Sequence, residues 1–267
     1  YPDCLAKRPN EAFAKLYGIS PDLVTSGNGS DELISVITSC FFESGDTLVN
    51  VSHDFSMYGF YAQLYELNVE TYQKNADLTI DADALIAFCK EKNARGLIFS
   101  NPCNPTSLGL DRESVRKIIT SLEDTLVILD EAYMDFWDQS LLDEVDKYSN
   151  LLILKTCSKV IGMAAVRFGF AVSNKTITTA LRAAKSPYNN DSFAQTIVSE
   201  VLSEKEWLAD CRNTIISETK KLYEGIIAIN EKHNAFEAVY KPCTNFVFIK
   251  SDKSKEIYEY LLENSIA

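Results

Sequence analysis

The chain has 267 residues, 46% of them hydrophobic and 24% charged, enough to bury a core in one large domain or two ordinary ones. Its 26 basic and 38 acidic residues leave a formal charge of -12, which opposes phosphodiester backbones and anionic bilayers and excludes general nucleic-acid or membrane-surface binding. Seven scattered cysteines without a C-x-x-C pair, and only two histidines, His53 and His233, argue against a disulfide framework, a zinc ribbon and a poly-histidine metal site. They fit a soluble protein of the reducing cytoplasm. No apolar run reaches the ~20 residues that a membrane-crossing helix needs.

Short apolar runs alternate with helix-period stretches, the pattern of an α/β protein with a mixed, mostly parallel sheet and helices on both faces. Strands are predicted at 47–51, 96–100, 125–129, 151–154 and 168–172, and helices at 31–42, 81–92, 112–121 and 176–183. From Ser192 the texture becomes long charged helix (200–232), then two β-like runs (236–240 and 245–249) and a last helix from Ser254. The division is therefore a large domain, 1–190, and a partial smaller α+β domain, 191–267. A first residue Tyr1 and a last residue Ala267 suggest a piece of a longer protein.

Four segments carry chemistry. Ser26-Gly-Asn-Gly-Ser-Asp-Glu32 sets glycines and Ser30, Asp31 and Glu32 at a helix start, where free backbone N–H groups make an anion site or an ordinary cap. Ser100-Asn-Pro-Cys-Asn-Pro-Thr106 follows an apolar strand and holds Asn104 at its carboxyl end, the usual ligand edge of such sheets, unless it is a structural Asn-Pro turn. Next, Thr125-Leu-Val-Ile-Leu-Asp130-Glu-Ala-Tyr133 brings a carboxylate and a phenol to the same edge. Last, Leu154-Lys-Thr-Cys-Ser158-Lys159 is followed eight residues on by Arg167, an odd place for charge that is normally solvated.

Together these supply an amine, an acid, an amide with a phenol, and an anion cradle. Pyridoxal 5'-phosphate uses that set: its aldehyde meets a lysine, its ring nitrogen an acid, its ring hydroxyl an amide and a phenol, and its phosphate the amides and an arginine.

The segments N-P-C-N-P-T, L-D-E-A-Y and T-C-S-K-V-I-G-M-A-A-V-R-F-G resemble fold-type-I, class I/II aminotransferases, and among them the histidinol-phosphate aminotransferases. The resemblance implies the aspartate-aminotransferase-like fold and a homodimer with shared active sites. It makes Lys159 the amine that bonds the aldehyde, Asp130 the partner of the pyridine nitrogen, and Tyr133 and Asn104 the partners of the ring hydroxyl. Ser30, Asp31, Glu32, Ser158 and Arg167 would hold the phosphate, Phe55 would stack on the ring or else fill core, and Tyr1 would reach the neighbouring subunit's phosphate. The activity implied is transfer of an amino group between histidinol phosphate and 2-oxoglutarate in histidine biosynthesis. A phospho-amino-acid decarboxylase, another aromatic or phosphonate aminotransferase, and a non-enzymatic remnant are the alternatives. Two departures stand out: the loop Pro187-Tyr-Asn-Asn-Asp-Ser192 carries an added acid that could alter substrate contacts, and no arginine follows Arg212 to grip a substrate carboxylate.

Overall fold

The computed structural model describes residues 1–266. The apolar runs form one sheet whose strands are β1 (Val24–Gly27), β2 (Thr47–Val51), β3 (Asn68–Tyr72), β4 (Gly96–Ser100), β5 (Leu126–Asp130), β6 (Leu151–Thr156) and β7 (Gly169–Ser173). Across the sheet the order is β1-β7-β6-β5-β4-β2-β3. Strands β3, β2, β4, β5 and β6 are parallel neighbours, whereas β7 is antiparallel to both β6 and β1. The mixed, mostly parallel sheet inferred from the pattern is present.

Side-chain alternation sorts each central strand into two cores. Leu97, Phe99, Val127, Leu129, Leu151 and Ile153 share one cluster with Phe13 and Ala14 of α1 (Lys7–Tyr17), Leu85 of α4 (Ala82–Glu91), Ile118 of α5 (Arg112–Ser121) and Val198 of α7 (Ser192–Ser203). Ile98, Ile128, Leu152 and Leu154 share the other with Leu33 and Ile37 of α2 (Gly29–Phe41), Tyr58 of α3 (Met57–Leu64) and Leu181 of α6 (Lys175–Ala184). Helices thus cover both faces, which is why β4 and β6 read as unbroken buried runs rather than as alternating ones.

The C-terminal part consists of α8 (Lys205–His233), the short antiparallel pair β8 (Ala238–Val239) and β9 (Ile249–Lys250), and α9 (Ser254–Glu263). Here the sequence reading needs correction. The long helix expected over 200–232 is two helices, broken at Glu204, where ψ is 61°. The β-like runs shrink to two paired residues each, because only Ala238 with Lys250 and Val239 with Ile249 find a partner. Helices α1 and α3 and the strands β1 and β3 were not anticipated. Edge strand β3, Asn-Val-Glu-Thr-Tyr, is mostly partly exposed and lacks the apolar signature of a central strand. No helix is long and apolar enough to cross a membrane among the described residues.

The C-terminal part is anchored to the loop after β4. Ser107 Oγ lies 2.6 Å from Thr244 Oγ1 and donates to the Phe246 carbonyl at 3.1 Å, while Cys243 N donates to the Ser107 carbonyl at 2.9 Å. Phe246 then meets the Tyr133 ring edge-on, with centroids 5.3 Å apart. A contact between the C-terminal part and the Tyr133 ring is therefore built into the fold.

Candidate active site

A cavity of about 400 Å³ opens at the carboxyl ends of β4, β5 and β6, within the size range of small-molecule sites. Parallel strands bring their ends to one edge, so segments far apart in sequence meet there. Ser30, Asp31, Phe55, Asn104, Asp130, Tyr133, Ser158, Lys159 and Arg167 all line it.

At one end, β1 runs into α2 through Asn28 and Gly29. Gly29 has φ +81°, and a Cβ there would stand 2.7 Å from a terminal nitrogen of Arg167, so only glycine lets the guanidinium lie against the helix start. Arg167 itself holds a left-handed conformation (φ 54°) and donates to the Ala164 carbonyl at 3.1 Å. The first N–H groups of α2 carry the helix's positive end. The Asp31 carboxylate accepts from the Tyr61 hydroxyl at 3.1 Å, so what residue 31 offers an anion is its backbone N–H. Ser158 completes this end, placed by a turn in which Thr156 Oγ1 accepts from Ser158 N at 3.1 Å and donates to Ser158 Oγ at 3.0 Å.

At the other end, the buried Asp130 terminates β5. Its Oδ2 accepts from the Tyr58 hydroxyl at 2.9 Å and its Oδ1 from Ala132 N at 3.0 Å. Burial pushes this carboxyl above the usual carboxylate range, while the Tyr58 hydrogen bond, the Ala132 N–H and the charges of Lys159 and Lys155 pull it back. Tyr58 is driven well above its ordinary range, first by burial and then by Asp130 and Asp54, so it stays a donor. Between the two ends, Lys159 Nζ lies 5.1 Å from the centroid of the Tyr133 ring, and Asn104 Nδ2 donates to the Tyr133 hydroxyl at 3.1 Å. Phe55, 40% exposed, stands edge-on to Tyr58 with centroids 5.5 Å apart; its place is the cavity wall and not the core.

Two candidates fall outside the lining. The Glu32 carboxylate accepts from Asn28 N at 2.6 Å and from Asn189 Nδ2 at 2.8 Å, which makes it a brace for the loop before α2. Tyr1 is fully exposed and rests on Tyr188, ring centroids 5.0 Å apart. The added acid of the 187–192 loop, Asp191, is the N-cap of α7 and accepts from Phe193 N and Ala194 N at 2.8 and 2.9 Å. Arg212 lines clefts with Tyr17 and Asp135, away from this cavity.

The sequence reading missed Tyr58, Met57, Ser100 and Thr156, which also line the cavity. For Tyr58 a signal existed: a phenol three residues after Phe55 shares its side of a helical turn. Lys155, four residues before Lys159, could have been mistaken for it. It is 3% exposed and spent on Asp135, 2.9 Å away, whose other oxygen accepts from the Tyr17 hydroxyl at 2.8 Å.

The residues present fit pyridoxal phosphate. A glycine-lined helix start with Arg167 and Ser158 suits a dianion, an acid held by two donors suits a protonated ring nitrogen, and the Asn104–Tyr133 pair suits a ring oxygen.

The family model "Aminotransferase class I and II" matches residues 1–267, and the chain belongs to that family. It is 35% identical over 266 residues to a histidinol-phosphate aminotransferase of Clostridium kluyveri, covering 100% of this chain and 74% of that one. It is 34% identical, with the same coverage, to another from Caldanaerobacter subterraneus subsp. tengcongensis. Among solved structures, the histidinol-phosphate aminotransferase of Sinorhizobium meliloti, in complex with pyridoxal-5'-phosphate, superposes with a TM-score of 0.89 at 22% identity, covering 99% of this chain and 72% of that one. The L-threonine-O-3-phosphate decarboxylase of Porphyromonas gingivalis shares the fold at a TM-score of 0.79 and 21% identity, covering 98% and 78%.

Proposed function

We propose that this chain is a pyridoxal-phosphate-dependent aminotransferase that moves the amino group of histidinol phosphate to 2-oxoglutarate, giving imidazole-acetol phosphate and glutamate. One observation carries the reading. Lys159, Asp130, Tyr133, Asn104 and Arg167 converge on one cavity in a chain 35% identical, along its whole length, to a histidinol-phosphate aminotransferase.

When bound, the cofactor supplies an aldehyde that takes the amino group and a pyridine ring that withdraws electron density from the substrate's α-carbon. The chain's own residues do the rest. Arg167, Ser158 and the start of α2 would hold the phosphate through charge-assisted bonds, about 1.5–3 kcal/mol each. Asp130 would keep a proton on the ring nitrogen, Asn104 and Tyr133 would hold the ring oxygen, and Phe55 would form the cavity wall beside the ring. Lys159 Nζ would take the proton from the substrate carbon that bears the amino group and hold it for return. The low dielectric around Asp130 would strengthen its pairing with a cationic ring nitrogen.

A second copy of the chain is the proposed partner. Phe60 and Leu64, one turn apart on α3, and Phe193 on α7 are 52%, 58% and 83% exposed, apolar surface that a homodimer would cover, and Tyr1, exposed beside Tyr188, would reach across. Seven free thiols support a reducing, cytoplasmic setting.

The test is an assay of the reconstituted protein with histidinol phosphate and 2-oxoglutarate. Glutamate formation is expected, and its loss in Lys159→Ala with an unchanged unfolding transition. Carbon dioxide release from O-phosphothreonine without glutamate formation would instead establish the decarboxylase. Full turnover in Lys159→Ala would refute both.

A further inference from the structure

We propose that Asp54 is a positioning residue for the cofactor seat, clasping the turn that carries Phe55 to the loop that carries Asn104. The inference rests on the function proposed above and concerns a side chain that does not itself line the cavity.

Strands β2 and β4 are parallel neighbours, so the turns that leave them, 52–56 and 101–106, emerge side by side at the ligand edge. Both are irregular, and each carries one residue of the seat. Asp54 bridges them. Its Oδ2 accepts from Ser100 N at 3.0 Å, and its Oδ1 accepts from Ser100 Oγ at 2.5 Å and from Phe55 N at 2.7 Å. Ser100 Oγ in turn accepts from Asn104 N at 3.3 Å. One carboxylate therefore fixes the backbone of Phe55 and, through a single hydroxyl, the backbone of Asn104.

The groups around it are Lys74 from the end of β3, Tyr58 from α3 with Asp130 of β5 beyond it, and Cys103 in the Asn104 loop. Lys74 Nζ makes a second strap between the same two turns, donating to the His53 carbonyl at 3.2 Å and to Cys103 Sγ at 3.1 Å. Burial pushes Asp54 up to about 6, against the pull of the Ser100 hydroxyl and N–H, the Phe55 N–H and Lys74. Protonation turns three charge-assisted bonds into neutral ones of about half the strength. The clasp is tight above that pH and slack below it.

The experiment titrates apoprotein with pyridoxal phosphate from pH 5 to pH 8, following cofactor absorbance, in the wild type, Asp54→Asn and Ser100→Ala. The phosphate group titrates in the same range, near ~6, so the quantity read is the difference between variants. Asp54→Asn is expected to bind about tenfold more weakly than the wild type at pH 8 and nearly equally at pH 5. Ser100→Ala, which keeps the carboxylate but removes one of the bonds that lower its proton affinity, together with the acceptor for Asn104 N, is expected to move the step to higher pH. Parallel wild-type and Asp54→Asn curves overturn the proposal. If Asp54→Asn does not fold, as judged by the thermal transition of the apoprotein, an unshifted step in Ser100→Ala overturns it equally. A wild type that binds no cofactor at pH 8 counts against the proposed function instead.

Discussion

Replacing Tyr58 by Phe removes one oxygen atom and one hydrogen bond, the 2.9 Å donation to Asp130 Oδ2, and leaves the ring in a fully packed position, 1% exposed. A hydrogen bond to a buried charged group is worth about 1.5–3 kcal/mol, and a pKa unit corresponds to about 1.4 kcal/mol. The lost donor therefore raises the proton affinity of Asp130 by roughly one to two units. Burial already holds that carboxyl above its usual range, so the shift adds to an existing one. A raised acid is neutral over a wider span of pH, and the carboxylate proposed to pair with the ring nitrogen forms only at higher pH. The acid limb of the kcat/KM profile of Tyr58→Phe should move upward by one to two units, with activity recovering toward the alkaline side. The assay is glutamate formation across pH 5 to 9, beside urea unfolding of the apoprotein to separate loss of fold from loss of tuning. An acid limb unmoved by the substitution would refute the role given to the Tyr58–Asp130 bond.

Arg167→Ala removes the only guanidinium lining the cavity among the described residues and should weaken pyridoxal phosphate binding by about ten- to a hundredfold, read by equilibrium titration of the apoprotein; unchanged affinity would show that the helix start suffices. The buried Glu131, which accepts from Ser140 Oγ at 2.6 Å, is pushed by burial from 4.5 up to about 7. The folded chain then keeps a proton that the unfolded chain releases between those values. This group's contribution to stability is complete below pH 4.5 and is lost as pH rises through about 7, a difference of about 3 kcal/mol. Glu131→Gln, which preserves the acceptor for Ser140, should flatten that slope in urea unfolding measured from pH 5 to 8, and an unaltered slope would contradict it.

Much of the site was legible because a parallel sheet writes itself plainly in sequence. Its central strands are apolar throughout, so their ends can be located, and ligands gather at those ends. That places Asn104, Asp130 and Lys159 on one edge from strand pattern alone. Edge strands β1 and β3 escaped because they have a partner on one side only and carry polar residues; α3 escaped with them, and Tyr58 along with it. The break at Glu204 was hidden because both flanking helices have helix-forming composition and the kink is one residue wide.

Side-chain assignment divides the same way. The residues alone establish that an amine, an acid, a phenol, an amide and an anion cradle recur at successive strand ends, a property of spacing and strand burial. Which lysine is free, which acid faces the cavity and which merely braces a loop is settled by packing. Lys155 is buried against Asp135, Glu32 is held by Asn28 and Asn189, Asp191 caps a helix, and Asp54 joins two turns. Those partners lie tens to more than a hundred residues away or depend on where a helix begins. Distances of that kind arise only when the chain closes on itself, and local composition carries no record of them.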